Sequence, residues 1–138
     1  MTHSHPIRVY YEDTDLAGIV YYANYLKFIE RGRSEWVRSL GLDQAAMKAQ
    51  GAGVFAVRRV VADYLAPAHF DDLLDITTAY MRHSGARLVL RQSVLRGDKM
   101  LFLAEVTLVC LGDTGRPQPL PDALIEKIGE NTPHKPKV

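Results

Sequence analysis

Near the start of YYEDTDLAGIVYYANYLKFIERGR, Tyr10 to Arg33, three carboxylates lie within four residues: Glu12, Asp13 and Asp15. They follow a short alternating run of Ile7, Val9 and Tyr11 and precede a helical pattern. Gly18 lies between them and the helix, where it allows a tight chain path and close backbone approach. The first turn of a helix exposes free N–H groups and a partial positive charge. Such N–H groups polarise a carbonyl and stabilise the oxyanion that forms when it is attacked. A carboxylate beside them supplies a nucleophile or a base for water. An acid and a helix start are therefore sufficient for acyl transfer to water, without a metal or a serine. The simpler reading of the same residues is that Asp and Thr before a helix are caps and turn formers. A divalent cation would also suit three carboxylates. Strand alternation disfavours that, because it sends Glu12 and Asp13 to opposite faces.

The elements that would hold these groups follow from periodicity. Ile7 to Tyr11 alternates as a strand, and DTDLAG has the composition of a turn. From about Tyr22 to Leu40 the apolar period becomes three to four, through Tyr25, Ile29, Gly32, Trp36 and Leu40. Gly41 followed by Leu42 is a helix stop, and a short second helix is expected over Asp43 to Gln50. Val54–Tyr64, Leu73–Arg82, Arg87–Arg96 and Met100–Leu111 read as four long antiparallel strands. HSGA and GDK are hairpin turns between the last three, and Pro67 with Asp71 and Asp72 marks a looser crossing. LPDALIEKIG reads as a short terminal helix. The five strands form a sheet with one bare face, and the long helix is the only large apolar object able to cover it. The expected fold class is α+β, with the sheet wrapped around that helix. Gly32 in mid-helix costs about 1 kcal/mol against Ala, which a close helix–sheet approach would offset.

The chain has 138 residues, enough for a single domain spanning 1–138, with residues 1–5 and about 131–138 expected as flexible tails. His3 and His5 fall in the first tail and read as tail residues rather than metal ligands. The net charge of +1 gives no general attraction to nucleic acid or anionic membrane. The single cysteine, Cys110, excludes an internal disulfide and sits in an apolar run as a buried thiol. No apolar run reaches membrane-spanning length and the start lacks a signal-peptide layout, so a cytoplasmic protein without membrane insertion is expected.

YEDTDLAGIVYYANYLKFIERGR resembles the signature of the hotdog-fold acyl-CoA thioesterases of the 4-hydroxybenzoyl-CoA thioesterase class, including the Tol-Pal-associated YbgC-like branch. Tyr64, Pro67-Ala68 and Asp71-Asp72 followed by Leu74 match a second block, and the resemblance spans roughly Ile7 to Leu111. It implies a hotdog fold and hydrolysis of an acyl-CoA thioester to free acid and CoA. Asp15 aligns with the catalytic acid, Gly18 with the turn glycine, and Tyr22 with the residue whose backbone N–H faces the thioester carbonyl. Many YbgC-like members carry His at Tyr22, whereas hydroxybenzoyl-type members carry Tyr. The Tyr22 phenol either joins the site or packs. Arg82, His83 and Arg87 flank the turn where relatives often place basic contacts to the CoA phosphates, and Arg58 and Arg59 are next in line. The resemblance further implies no cofactor, CoA being part of the substrate, no metal, and a homodimer or homotetramer with the site at the subunit interface. Acyl carrier protein is an alternative carrier of the acyl group. Two other functions share the fold: a non-catalytic acyl-binding or scaffold protein, which would not need Asp15, and a dehydratase. The latter pairs a His with an acid, and no His lies between His5 and His69. The helix dipole favours an ionised Asp15, which tilts its role toward nucleophile over base.

Overall fold

The computed structural model describes residues 2–131. In chain order these form β1 (Thr2–Arg8), α1 (Asn24–Ser39), α2 (Gln44–Ala49), β2 (Val54–Tyr64), β3 (Leu73–Ser84), β4 (Arg87–Arg96), β5 (Lys99–Leu111) and α3 (Asp122–Asn131). A 3-10 turn at Tyr11–Asp13 lies between β1 and α1. The strands make one antiparallel sheet in the order β1-β3-β4-β5-β2. The expected hotdog architecture is present: α1 lies on one face of the sheet and packs against β1, β3 and β4.

The helix stripe explains this packing. Tyr25, Phe28, Ile29, Trp36 and Val37 are buried on one side of α1. Facing them are the alternate residues Leu74 and Ile76 of β3, Leu88, Leu90 and Val94 of β4, and Val106 and Leu108 of β5. Gly32 sits at the point of nearest approach, where a Cβ would lie 2.4 Å from Ile76 Cγ2. Its cost within the helix is offset by this contact. Leu124 and Ile128 of α3 join the same core. Cys110 is fully buried, and burial pushes its thiol pKa up.

Two expectations are corrected. The first strand runs over Thr2–Arg8 rather than Ile7 to Tyr11, so residues 2–5 belong to the sheet and are not a tail. Its polar THSHP residues hide it from a periodicity reading, because an edge strand needs few apolar side chains, and Pro6 is tolerated there. Val9 leaves the ladder and is held by the 69–72 loop, donating to Asp72 O at 2.9 Å and accepting from Asp71 at 3.0 Å. His3 and His5 are therefore strand residues, paired with Thr78 and Ile76. Second, α1 begins at Asn24, two residues later than the pattern suggested. The looser crossing expected at Pro67 is the connection that carries the chain across the sheet, from β2 at the far edge beside β5 to β3. The expected C-terminal tail lies outside the described residues, apart from the end of α3.

No helix among the described residues is long and apolar enough to cross a membrane. The β2 edge leaves Val57, Val61 and Tyr64 about half exposed, at 48%, 53% and 49%.

Candidate active site

The segment from Asp13 to Tyr21 folds as a miniature hairpin. Thr14 bridges Val20, Asp15 N–H donates to Ile19 O at 2.9 Å, and Tyr21 N–H donates to Asp13 O at 2.9 Å. Gly18 closes the turn at φ +79°, with its N–H on Asp15 O at 3.0 Å. Any L side chain is strained in that left-handed region. The hairpin is tied to the body where Val20 N–H meets Ala68 O at 2.8 Å and Ile19 bridges His69.

Within this frame the three acids separate. Glu12 and Asp13 lie in the 3-10 turn, not on a strand, so the alternation expected of them does not apply. Asp13 is buried, at 8% exposure. Its Oδ2 accepts the Tyr10 N–H at 2.8 Å, and its carbonyl accepts Asn24 Nδ2 at 2.9 Å. It holds structure, as the capping reading proposed for such residues. Glu12 faces solvent. Asp15 stands on the exposed tip of the hairpin, with Oδ1 accepting the Ala17 N–H at 2.9 Å and Oδ2 unengaged among the described residues.

None of these acids caps α1. Its N-cap is Ala23, with no side-chain hydrogen bond, and the first turn has no acidic residue. Among the described residues no acceptor meets the Tyr22 or Ala23 N–H. The carbonyls of this entry are engaged: Tyr21 O accepts Asn24 N–H at 2.8 Å, and Tyr22 O accepts the Tyr64 hydroxyl at 2.9 Å. Tyr21 carries a phenol pKa raised chiefly by Tyr22 and their shared hydrogen bond, with Asp15 adding to the shift. Asp15, Tyr21 and Tyr22 are thus electrostatic neighbours.

An apolar cleft of about 380 Å³ opens beside the helix start. Ile19, Tyr22, Tyr25, Tyr64, Leu65 and Pro67 line it. Tyr25 stacks on Phe102 at 5.1 Å, and its hydroxyl accepts the Ala68 N–H at 3.0 Å. Tyr64 meets both Tyr25 and Phe102 edge-on, at 5.5 and 5.1 Å. Burial raises the phenol pKa of both tyrosines. The Tyr22 ring packs at this wall, edge-on to Tyr64 at 6.2 Å. Neither Tyr25 nor Tyr64 was singled out for the site from sequence spacing. Tyr25 read as core, and the link from Tyr64 to Tyr22 spans 42 positions.

Beside the hairpin, Asp72 fixes the loop on which it rests. Its Oδ2 accepts His69 N–H and Arg96 Nη1, each at 2.8 Å. Burial acts to raise the Asp72 pKa, but these two donors outweigh it and the net shift is downward.

The five basic residues gather elsewhere. Arg58, Arg59, Arg82, His83 and Arg87 line one cleft of about 350 Å³. It sits on the sheet face opposite α1, because Arg87 and Glu105 alternate with the inward Leu88 and Ala104. Arg82 Nη2 bonds Glu105 Oε1 at 3.1 Å, and His83 Nδ1 meets the Tyr80 hydroxyl at 2.7 Å. The structure joins Arg82, His83 and Arg87 with Arg58 and Arg59, but this cleft shares no lining residue with the one beside Tyr22. Among the described residues no group of three or more His, Cys, Asp or Glu is placed to hold a metal ion.

Comparison with known proteins identifies the family. Residues 9–128 match the family described as the Thioesterase-like superfamily. The acyl-CoA thioesterase YbgC of Haemophilus influenzae is 39% identical over 117 residues, covering 85% of each chain. The acyl-CoA thioester hydrolase YbgC of Escherichia coli is 39% identical over 125 residues, covering 89% of this chain and 92% of its own. A probable thioesterase from Bartonella henselae superposes with a TM-score of 0.83 at 39% identity, over 88% of this chain and all (100%) of its own. The chain belongs to the thioesterase-like superfamily and is a thioester hydrolase on the hotdog fold.

Proposed function

We propose that the protein hydrolyses acyl-CoA thioesters, with Asp15 as the reacting carboxylate and the Tyr22 N–H at the start of α1 polarising the carbonyl. The observation that carries this reading is the uncapped start of α1. Among the described residues the Tyr22 and Ala23 N–H groups at this start have no partner, while an acid with an unengaged Oδ2 is held on the adjoining hairpin by the Gly18 turn. Free N–H groups at a helix start are an anion site, and a thioester oxyanion is such an anion. Asp15 attacks the carbonyl carbon, the C–S bond breaks and CoA leaves as the thiolate, and water then cleaves the mixed anhydride. Alternatively Asp15 takes a proton from the attacking water. Neither route uses a metal or a cofactor. The acyl group fits the tyrosine-lined cleft, and the relatives named for acyl-CoA hydrolysis favour CoA as carrier over acyl carrier protein.

The phosphates of CoA fit the basic cleft, with Arg82, His83 and Arg87 supplying charge-assisted donors. That cleft is separate from Asp15 within one chain, and the β2 edge is open with half-exposed valines. A homodimer built on this edge, or a tetramer of such dimers, would cover it and bring one subunit's basic cleft toward the other's acid. Sedimentation at micromolar concentration should give at least a dimer.

The test is a panel of short aliphatic, long aliphatic and aromatic acyl-CoAs, read by free-thiol release, with the matching acyl-pantetheine thioesters alongside. Arg82→Ala with Arg87→Ala should raise KM for acyl-CoA roughly five- to a hundredfold, the equivalent of about 1–3 kcal/mol. The phosphates lie far from the reacting carbon, so kcat should hardly change. The acyl-pantetheine thioester, lacking those phosphates, should be indifferent. Equal weakening of both substrates would show structural damage instead. No thiol release from any member would end the acyl-CoA reading.

A further inference from the structure

The two peptide groups that enter α1 are held in different ways. The Tyr21–Tyr22 peptide is fixed by the backbone, its carbonyl accepting Asn24 N–H at 2.8 Å. The Tyr22–Ala23 peptide has no backbone donor on its carbonyl among the described residues. Its partner is the phenol of Tyr64, at 2.9 Å, from the end of β2. That strand end is itself firmly seated: Tyr64 pairs with Phe102 across the sheet, and Leu65 N–H donates to Leu101 O at 2.8 Å.

A trans peptide sets its C=O and N–H antiparallel across one plane, and the chain has no cis peptide among the described residues. Holding the Tyr22 carbonyl therefore sets the direction of the Ala23 N–H. Among the described residues neither it nor the Tyr22 N–H meets an acceptor, and the two are adjacent along the chain. We infer that Tyr64 is a positioning residue: through the Tyr22 carbonyl it aims the Ala23 N–H as a second donor, beside Tyr22 N–H, toward the thioester oxygen. This rests on the proposed site at the start of α1 and adds to it a second donor and the side chain that orients it. The ring of Tyr64 packs on Tyr25 and Phe102, so its apolar part and its hydroxyl have separable roles.

Removing an oxyanion donor outright costs about 10²–10³ in kcat. Mis-aiming one costs less, because the group can still reach part of the time. Tyr64→Phe deletes only the hydroxyl and keeps the ring contacts. On the acyl-CoA that the wild type hydrolyses fastest, it should lower kcat roughly ten- to a hundredfold, leave KM within about twofold, and shift Tm little. The decisive readout is the carbonyl stretch of the ketone analogue of that substrate, in which CH2 replaces the thioester sulfur. Bound to the wild type its frequency should fall relative to solution, and Tyr64→Phe should lose part of that red shift. Should Tyr64→Phe fail to fold, a fluorinated tyrosine at 64 whose phenol ionises near neutral pH serves instead. As it ionises it loses its donor, so kcat should fall with rising pH where the wild type shows no such inflection. Unchanged kcat, a parallel rise in KM, or an undiminished red shift overturns the assignment. Asp15→Asn is assayed in parallel. Residual activity there refutes the role of Asp15, while the Tyr64 readouts decide this inference separately.

Discussion

The protein has two helices preceded by an aspartate, and they start in opposite ways. Asp43 sits at the N-cap of α2 in extended conformation, with its carboxylate accepting Ala45 N–H at 2.9 Å and Ala46 N–H at 3.2 Å. Two of the first-turn donors are thereby taken by the chain's own carboxylate. At α1 the N-cap is Ala23 in helical conformation, and the nearest acids are committed elsewhere: Asp13 to its own turn, Asp15 to the hairpin tip. A polar cap contributes about 1 kcal/mol, and α1 forgoes it. The long helix tolerates this because Tyr25, Phe28 and Ile29 bury its first turns against the sheet, whereas the six-residue α2 lies at the surface with only Met47 buried. Local rules are broken where tertiary packing can bear it and chemistry needs it.

The comparison breaks first at Asp15. If it reacts rather than caps, Asp15→Asn should lower kcat by more than about a hundredfold, some 2.7 kcal/mol of barrier. Asn retains an Oδ1 for the Ala17 N–H, so the hairpin should survive. Circular dichroism and sedimentation should match the wild type. A variant keeping more than about a tenth of wild-type kcat would remove Asp15 from the chemistry.

A second change makes α1 resemble α2. Ala23→Asp puts a carboxylate where the free N–H groups are. It would compete with the substrate oxygen for those donors and repel the negative charge that develops on it. An ion pair of like charge about 4 Å apart at a protein surface costs about 4 kcal/mol before screening. A fall in kcat of roughly ten- to a hundredfold is expected, with Tm unchanged or slightly raised. Ala23 has φ −71° and ψ −20°, not the extended geometry of a cap, so the full stabilisation of a cap is not available. Ala23→Asn, uncharged, should reduce kcat less. Equal activity in all three proteins would mean that no oxyanion forms at this helix start.

The same contrast explains what could be read from sequence. The α1 stripe, its stop at Gly41, Gly32 and the four long strands announce themselves because the burial patterns are local and periodic. Gly18 was legible too, since only glycine suits that turn. β1 was displaced because its polar edge residues carry no period, and Tyr22 and Ala23 extended the helix pattern past its true start. Sequence proximity grouped Glu12, Asp13 and Asp15, and only the hairpin's hydrogen bonds separate the buried holder from the exposed acid. Non-local pairing was invisible altogether: Tyr64 reaches Tyr22 across 42 positions, and Arg58 and Arg59 join Arg82 through the β2–β5–β4–β3 order.

The smallest effect is expected at the capped helix. Asp43→Ala removes the acceptor for the Ala45 and Ala46 N–H groups, at an exposed site where water replaces it. The loss should be about 1 kcal/mol. For a chain of this length that lowers Tm by roughly 3–4 °C, provided subunit concentration is held fixed, since association shifts Tm as well. Asp43→Asn should restore most of it, because Asn caps as well as Asp. Neither variant should change kcat or KM, for α2 touches β2 at the end remote from Tyr64: Met47 N–H and O are engaged by Asp43 and Ala52, ahead of Val54. Calorimetry and the free-thiol assay on the same preparations decide it. A stability loss without loss of turnover marks the α2 start as architecture. A loss of turnover in Asp43→Ala that Asp43→Asn rescues would show that α2 is coupled to the site, and the division between a closed helix start and an open one would fall.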